Sequence, residues 1–337
     1  SGCNGLTAGG TALSPWSGIH NYINRWHALS SPVAGDFDED GYNDYALGRQ
    51  QYPYSMSTIS IWARKHDGSG LWLLTGSYDR SVSSTPTICD ATADGNLEVV
   101  FISDLQGFLR DDDYGILYCV NAATKEAIWS ANLPAMFYRG AVTAGNLDSD
   151  DAMEIIVTCS SVGNHQVRVF DGATGALMHT LAVDGTAYAG SSIADVDGDG
   201  DNDIVVSCSD GILYCWDGLT GISLSGFPVD LGTWTMGGVS IGDIDLDEEL
   251  ELVMAGRDGK LYAVNHDGTM AGGFPITVSS NPLSGQPALG DIDGDGRLEI
   301  IFGEEGNSVV HCYQLAINSA CAYLPWPQFQ RDARNTG

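Results

Sequence analysis

An acidic stretch recurs six times along this chain of 337 residues. The copies are GDFDEDGYNDYAL from Gly35, CDATADGNLEVV from Cys89, GNLDSDDAMEIIV from Gly145, ADVDGDGDNDIVV from Ala194, GDIDLDEELELVM from Gly242 and GDIDGDGRLEIIF from Gly290. The first motif positions of successive copies are 54, 56, 49, 48 and 48 residues apart. Spacing this regular indicates a fold built by repeating one supersecondary unit.

Each unit reads as four short strands. A brief apolar segment precedes the acidic stretch, and a run such as IVVSCS follows it. An Asp-Gly turn, an alternating strand such as ILYCW, another Gly turn and a last strand near GFP complete the unit, as in residues 210–231 and 258–278. Short β-prone runs divided by Gly and Asp are strand and hairpin signals. Four antiparallel strands per unit, repeated radially, predict an all-β fold of the β-propeller type.

The acidic stretch has the form D-x-D-x-D-G-x-x-D at Asp36–Asp44 and Asp195–Asp203, and with Glu closing at Asp291–Glu299. This motif resembles the FG-GAP and VCBS repeats of the integrin α-chain propeller and of secreted bacterial proteins. The resemblance covers residues 31–337 and implies a single propeller domain with calcium loops between the first and second strands. Six blades are expected, the last finishing at YLPWPQF, although the family often has seven. Residues 1–30 are expected to form an N-terminal extension or capping strand.

Alternate residues of such a loop can turn oxygen ligands inward, which suits Ca²⁺ because it takes six to eight oxygens. Positions 1, 3, 5 and 9 would supply side chains, position 7 a main-chain carbonyl, and Gly at position 6 the sharp turn. The three full loops give Asp36, Asp38, Asp40, Tyr42 and Asp44; Asp195, Asp197, Asp199, Asp201 and Asp203; and Asp291, Asp293, Asp295, Arg297 and Glu299. The three loops that depart from the motif give Asp90, Thr92, Asp94, Asn96 and Glu98; Asn146, Asp148, Asp150, Ala152 and Glu154; and Asp243, Asp245, Asp247, Glu249 and Glu251.

The alternative is a solvated acidic surface, which is the usual fate of a charge run. Repetition in every blade favours a structural role, with about three to six ions. Extracellular calcium modules bind at about 10⁻⁴–10⁻³ M, so sites of this kind would stay largely empty in a low-calcium cytosol. The expected location is therefore extracellular or at the cell surface, with the periplasm as a possibility.

The net charge and the cysteine pattern argue against several classes of binding partner and metal site. Fourteen basic residues against 44 acidic ones give a net charge of −30, which disfavours nucleic acid and anionic membranes. No run of 18 apolar residues codes for a membrane span. The eight cysteines include no C-x-x-C, which argues against a zinc site. A hairpin turning at Ile317 would place Cys312 opposite Cys321 as a disulfide pair.

A ligand surface is expected away from the calcium loops, on the long second-to-third connections (48–57 and 103–115) and on the segments between blades. Functional residues concentrate on such loops above a rigid scaffold. The candidates are Trp26, Arg49, Tyr52, Tyr54, Arg80, Arg110, Tyr138, Arg139, Tyr188 and Trp234. The alternative is that these aromatic residues wedge between blades. Trp62, Trp72, Trp129 and Trp216 lie on expected strands and are assigned to the core.

Three functions remain open. The first is a calcium-stabilised extracellular binding or adhesion module that recognises a glycan or a protein. The second is a polysaccharide-degrading enzyme of lyase type, for which Arg49, Arg80, Arg110 and Arg139 would have to converge. The third is a structural subunit of a self-associating surface assembly. No G-x-S-x-G, H-E-x-x-H or P-loop motif is present, so catalysis is the less favoured alternative.

Overall fold

The computed structural model describes residues 26–27, 31–38, 40–51, 60–74, 84–103, 115–134, 141–148, 150–161, 164–306, 309–328 and 331. These residues form 24 strands, arranged as six antiparallel sheets that follow one another along the chain. We refer to the sheets as blades 1 to 6. The expected all-β, repeated architecture is confirmed.

Blades 1 to 3 come from the first half of the chain, and consecutive strands pair within each sheet. In blade 1, β2 pairs with the start of β3 while the short strand β1 pairs with its end. The strands are β1 (Trp26–His27), β2 (Val33–Gly35), β3 (Asp44–Gln51), β4 (Ser60–Arg64) and β5 (Gly70–Leu74); β6 (Thr87–Cys89), β7 (Glu98–Ser103), β8 (Ile116–Asn121) and β9 (Ala127–Asn132); and β10 (Thr143–Gly145), β11 (Glu154–Ser161), β12 (Asn164–Phe170) and β13 (Leu177–Val183).

Blades 4 and 5 have four strands each, and blade 6 has three among the described residues. A short 3-10 helix, Ser319–Cys321, follows the last strand. The strands are β14 (Ser192–Ala194), β15 (Asp203–Ser207), β16 (Ile212–Asp217) and β17 (Val229–Asp230); β18 (Ser240–Gly242), β19 (Glu251–Ala255), β20 (Lys260–Asn265) and β21 (Ile276–Thr277); and β22 (Leu283–Gly290), β23 (Arg297–Glu304) and β24 (Val309–Asn318).

The core lies between neighbouring blades. Every residue of β7, β15 and β19 is buried, as expected for strands covered on both faces. One hydrophobic cluster joins Val33 and Ile61 of blade 1 to Ile88 and Phe101 of blade 2. Other clusters join blades 2 and 3, blades 3 to 5, and blades 5 and 6. The repeats therefore stack by burying the apolar faces of successive sheets.

Hydroxyl groups on the first strands also connect successive blades. Thr143 Oγ1 donates to the carbonyl of Ser191, Ser192 Oγ to that of Val239 and Ser240 Oγ to that of Pro287. All three donors are buried. Each donor stands three residues before its acidic motif, so the repeat places one such hydrogen bond at successive blade junctions.

The segment expected to finish blade 6 lies elsewhere. Trp326 exchanges main-chain hydrogen bonds with Ile241 of β18, and the carbonyl of Pro327 accepts from Leu289 of β22. The YLPWPQF segment therefore lies against the first strands of blades 5 and 6 rather than beside β24. Trp326 is 2% exposed and packs in the core there, so burial of the indole outweighs pairing at the blade edge.

The expected disulfide is not formed. Strand β24 runs through Ile317 to Asn318 without turning, so the hairpin that would have brought Cys312 opposite Cys321 does not exist. Both cysteines are exposed and free, whereas Cys89, Cys119, Cys159, Cys208 and Cys215 are buried and free.

The core assignment is confirmed for Trp129 and Trp216, which are 9% and 6% exposed. Trp129 Nε1 also donates to the carbonyl of Gly172 in the next blade. The side chains of Trp62 and Trp72 lie outside the described residues. Within the described part of the chain, no helix has the length and apolar character to cross a membrane.

Candidate functional site

Each acidic motif forms a loop between the first and second strands of its blade. The closing acid at position 9 is buried in all six loops; it is the first residue of the second strand in loops 1 to 5 and the third in loop 6. Its carboxylate accepts the main-chain N–H of position 2 of the same loop, across 2.6–3.1 Å. The six pairs are Phe37–Asp44, Ala91–Glu98, Leu147–Glu154, Val196–Asp203, Ile244–Glu251 and Ile292–Glu299.

Two further backbone features give the loops a common shape. The carboxylate at position 5 accepts the N–H of position 7 in every loop, as Asp199 does from Asp201. Position 6 is left-handed wherever it is Gly, with φ of 101° at Gly200 for example, and also at Glu248 with φ of 76°. Loop 5 therefore keeps the turn even though it lacks the expected glycine.

This shape brings carboxylates together. In at least five loops, three acidic side chains each offer an oxygen, and the three oxygens lie within 4.8 Å of one another. The triads are Asp36, Asp38 and Asp40; Asp90, Asp94 and Glu98; Asp148, Asp150 and Glu154; Asp195, Asp197 and Asp199; and Asp243, Asp245 and Glu251. These triads could hold metal ions. Loops 2 and 3, which depart most from the motif, still form one.

The closing acids of loops 1 to 5 resist ionisation when no cation is present. Burial, reinforced by repulsion from the other loop carboxylates, raises the pKa of Glu98, Glu154 and Asp203 to about 7. The same causes raise the pKa of Glu251 to about 8. Burial also raises the pKa of Asp44 above its ordinary value. A nearby positive charge would reverse these shifts, since it favours the charged form.

Several carboxylate oxygens of the loops are buried without any hydrogen-bond partner. They are Asp38 Oδ1, Glu98 Oε1, Glu154 Oε1 and Asp195 Oδ1. A buried oxygen that accepts nothing is costly, and a bound cation would remove that cost. The donor set consists of hard oxygens, which is the chemistry preferred by Ca²⁺ and Mg²⁺. The residues present therefore fit a hard divalent cation.

Loops 1 and 6 differ from the others in what surrounds the carboxylates. In loop 1, the Lys65 ammonium forms an ion pair with Asp38, and the hydrogen bond between them raises the pKa of Lys65. In loop 6, Gln314 Nε2 donates to Asp295 Oδ2 at 2.8 Å and to Glu299 Oε1 at 3.1 Å. The sequence motif is complete in both loops, and it carries no sign of these neighbours.

The residues expected at a ligand surface are only partly described. Tyr188 is half-buried and Trp234 is 61% exposed; both lie on segments between a fourth strand and the next first strand. Such segments lie at the strand ends opposite the acidic loops, because strands alternate in direction. In blade 1, the backbone of Trp26 pairs with Gln51 and that of Arg49 pairs with Ser60, and the side chains of Trp26 and Arg49 lie outside the described residues. Tyr52, Tyr54, Arg80, Arg110, Tyr138 and Arg139 also lie outside them.

Sequence reasoning missed several residues that shape the loops. Position 4 is left-handed at Ala93, Gly198, Leu246 and Gly294, although glycine was expected only at position 6. The glycines at two of these positions were the available signal. The residue paired across the sheet with the closing acid, such as Gln314 with Glu299, was also missed. Its signal was the alignment of the third strands in successive repeats.

Residues 243–302, which hold loops 5 and 6, match the FG-GAP-like repeat. Comparison with curated protein sequences gives no match. The V. cholerae biofilm matrix protein Bap1 shares 17% identity at a TM-score of 0.53, over 78% of this chain and 42% of that one.

Two further solved structures are similar to this chain. Sqt1 of Saccharomyces cerevisiae shares 14% identity at a TM-score of 0.58, over 81% of this chain and 69% of that one. The Dos1 propeller shares 13% identity at a TM-score of 0.57, over 82% of this chain and 65% of that one. This chain spans less than two thirds of the Bap1 and Dos1 chains, and identities this low show the fold alone. The protein is thus a β-propeller that carries an FG-GAP-like repeat at residues 243–302.

Proposed function

We propose that this protein is a calcium-stabilised extracellular module for binding or adhesion. Its acidic loops hold structural Ca²⁺ ions, and the strand ends opposite them bind a glycan or a protein. The observation that carries the proposal is the closing acid: Glu98 and Glu154 are buried, and each has one oxygen that accepts no hydrogen bond. A buried carboxylate with an unpartnered oxygen is either protonated or stabilised by a cation, and a bound cation is what allows it to be ionised at neutral pH.

Calcium suits the loops better than magnesium. Ca²⁺ accepts six to eight oxygens in flexible geometry, whereas Mg²⁺ demands near-ideal octahedral coordination and keeps several waters. Loop 4 offers side chains of Asp195, Asp197, Asp199 and Asp203 together with the carbonyl of Asp201. Loops 2, 3 and 5 offer similar sets with one or two changes. The bound ion would supply positive charge, and the chain's own hydrogen bonds would hold the carboxylates in position.

An extracellular location is supported by two considerations. A net charge of −30 leaves the folded chain in strong self-repulsion unless counter-ions are present. Loops of this type bind calcium at about 10⁻⁴–10⁻³ M, a concentration that extracellular fluids supply. A similar fold occurs in Bap1, which is a biofilm matrix protein.

Trp234 is the best described candidate for ligand contact. Its carbonyl accepts the main-chain N–H of Arg257, so the backbones of these two residues are in contact. The Arg257 guanidinium pairs with Glu305 at 2.9 Å, and both side chains remain partly exposed. An exposed indole can stack on a sugar ring or receive a side chain of a protein, and a partly exposed guanidinium and carboxylate can bond sugar hydroxyls.

Calcium removal tests the structural half of the proposal. Elemental analysis of the purified protein is expected to find bound calcium, and chelation with EDTA is expected to lower the melting temperature. Added Ca²⁺ should restore the melting temperature, and equal Mg²⁺ should restore less of it. An unchanged melting curve in EDTA together with no bound metal would refute calcium stabilisation.

A glycan array and a panel of immobilised extracellular proteins test the binding half. Trp234→Ala is expected to reduce ligand capture at least about tenfold without changing the melting temperature, since the side chain is largely solvent-exposed. Tyr323→Ala is the matched control, because Tyr323 is 66% exposed and its carbonyl accepts the main-chain N–H of Asp243 in loop 5, away from Trp234. Equal loss in both variants, or in neither, would contradict a ligand surface at Trp234.

A further inference from the structure

Loop 1 has the complete acidic motif, Asp36 to Asp44, and it already contains a cation. The Lys65 ammonium forms an ion pair with Asp38, whose other oxygen accepts no hydrogen bond. Both side chains are partly shielded, at 34% and 22% exposure. Among the described residues, this is the only ion pair that a Lys or Arg makes with a carboxylate of an acidic loop.

The sheet register explains why Lys65 reaches the loop. Tyr45 pairs with Arg64, so the next pair along the two strands is Asp44 with Lys65. In other blades the residue paired with the closing acid carries no positive charge. It is Asn121 opposite Glu98, Asp217 opposite Asp203, Asn265 opposite Glu251 and Gln314 opposite Glu299. The position is therefore shared by the blades, and blade 1 alone among these five has a cation there.

The turn after Lys65 covers the loop further. The main-chain N–H of His66 donates to Asp44 Oδ1 at 3.1 Å, while that of Phe37 donates to Asp44 Oδ2. Both oxygens of the closing acid are thus satisfied, in contrast to Glu98 and Glu154. The His66 ring stacks on Tyr42 with centroids 4.5 Å apart, and its Nδ1 lies 3.6 Å from Asp40 Oδ2. Loop 1 is closed by residues of its own blade.

We infer that Lys65 is a built-in counter-ion that takes the place of calcium in loop 1. The inference rests on the proposed calcium binding of the other loops. An ammonium a few ångströms from a divalent ion repels it, and at that distance the repulsion lowers affinity by about tenfold or more. Loop 1 therefore binds Ca²⁺ at least about tenfold more weakly than loop 4, although both motifs have Asp at positions 1, 3, 5 and 9. Blade 1 keeps its loop folded without calcium.

Counting bound calcium by equilibrium dialysis, with metal analysis, tests this inference. At a free Ca²⁺ concentration that saturates loop 4, Lys65→Met is expected to bind one more ion per chain than the unmodified protein. Lys260→Met is the matched control, because Lys260 pairs with Asp258 away from the acidic loops. Its calcium count should stay unchanged.

Loop-specific variants assign the additional ion. Asp195→Asn should lower the calcium count of the unmodified protein by one, whereas Asp36→Asn should leave it unchanged. In the Lys65→Met background, Asp36→Asn should abolish the gain. The test does not depend on whether Lys65→Met folds well, because the calcium count of Asp36→Asn is also measured with Lys65 in place.

The outcomes separate the two proposals. If Asp36→Asn and Asp195→Asn each remove one ion from the unmodified protein, loop 1 is an ordinary calcium site and the inference is wrong while the proposed function stands. If neither the unmodified protein nor any of the variants binds calcium, the proposed function fails and the inference fails with it. An additional ion in Lys65→Met that is lost in the double variant supports both.

Discussion

The main-chain N–H of Val196 donates to Oδ2 of Asp203 across 2.7 Å, which ties the second residue of loop 4 to its last carboxylate. Asp203 is 1% exposed, and burial raises its pKa to about 7. The backbone therefore fixes the position of this carboxylate, while no Lys or Arg among the described residues pairs with its charge. The same relationship holds between positions 2 and 9 in every loop.

Asp203→Asn separates the structural hydrogen bond from the charge. Asn keeps an oxygen that can accept from Val196, so we expect no loss of stability in EDTA at pH 8, where burial of the charged form is costly. In Ca²⁺ at ten times the dissociation constant, the unmodified protein should gain about 1.4 kcal/mol from this site, and the variant should not. Urea unfolding with and without Ca²⁺ measures both effects.

The control for this experiment is Asp230→Asn. Asp230 is exposed and also accepts a main-chain N–H, from Gly232, but it belongs to no acidic loop. Its response to Ca²⁺ should match that of the unmodified protein. If Asp203→Asn loses the same stability in EDTA and in Ca²⁺, then the Asp203 carboxylate does not bind a cation.

The raised pKa values of the closing acids predict an unusual pH dependence without calcium. Glu98 and Glu154 titrate at about 7 and Glu251 at about 8, all above the unfolded value of 4.5. The folded protein therefore retains protons that the unfolded chain has released. The associated stability is present below about pH 4.5 and is lost as pH rises through 7 to 8. In EDTA, the free energy of unfolding should fall between pH 5 and pH 8.

Calcium should suppress this decline, because a bound cation holds the closing acids ionised at all these pH values. Urea unfolding across the pH range, with EDTA or with saturating Ca²⁺, gives the two profiles. Glu251→Gln should flatten the EDTA profile in part, since its neutral amide has no proton to lose. A profile in EDTA that rises with pH would contradict the raised pKa values.

The junctions between blades should depend on their buried hydroxyls. Ser192→Ala removes the hydroxyl donor to the carbonyl of Val239, at 2.6 Å, and leaves that carbonyl with the Gln286 Nε2 hydrogen bond, at 2.7 Å. We expect a cost of about 0.5–1.5 kcal/mol in the free energy of unfolding, with an unchanged number of bound calcium ions. Ser225→Ala, at an exposed position, should cost less than about 0.5 kcal/mol. Equal effects would show that the hydroxyl does not stabilise the junction.

Most of the fold could be predicted from the sequence repeat. Motif spacing and strand patterns predicted the six sheets and the loops between first and second strands, because each unit repeats the same local hydrogen bonds and burial. The last blade was harder to predict, since Trp326 finds its place through contacts with Ile241 and its neighbours, far away in sequence. The pairing of Cys312 with Cys321 was also predicted wrongly, because it assumed a hairpin turn at Ile317 that strand β24 does not make.

The candidate sites were predictable as far as local sequence determines them. The motif specifies the acidic positions and the glycine turn, and the triads of loops 1 to 5 follow from it. Burial of the closing acids depends on the neighbouring blades, so their raised pKa values had no local signal. Lys65 lies 21 residues beyond Asp44 and reaches the loop only through strand pairing. Register between strands, which the motif does not encode, therefore distinguishes loop 1 from loop 4.

Loop 5 offers a test of the turn itself. Glu248 occupies position 6 with φ of 76°, where loops 1, 2, 4 and 6 have glycine. A residue with a Cβ is destabilised by about 1–2 kcal/mol in the left-handed region. Replacing it by glycine removes this strain, but glycine also raises the conformational entropy of the unfolded chain, which offsets part of the stabilisation. Glu248→Gly should therefore stabilise the protein by about 0.5–1 kcal/mol in urea unfolding and leave calcium binding intact. Glu248→Ala retains the Cβ and should recover little of this gain, so equal stabilisation by Ala and Gly would assign the effect to the lost charge rather than to the backbone.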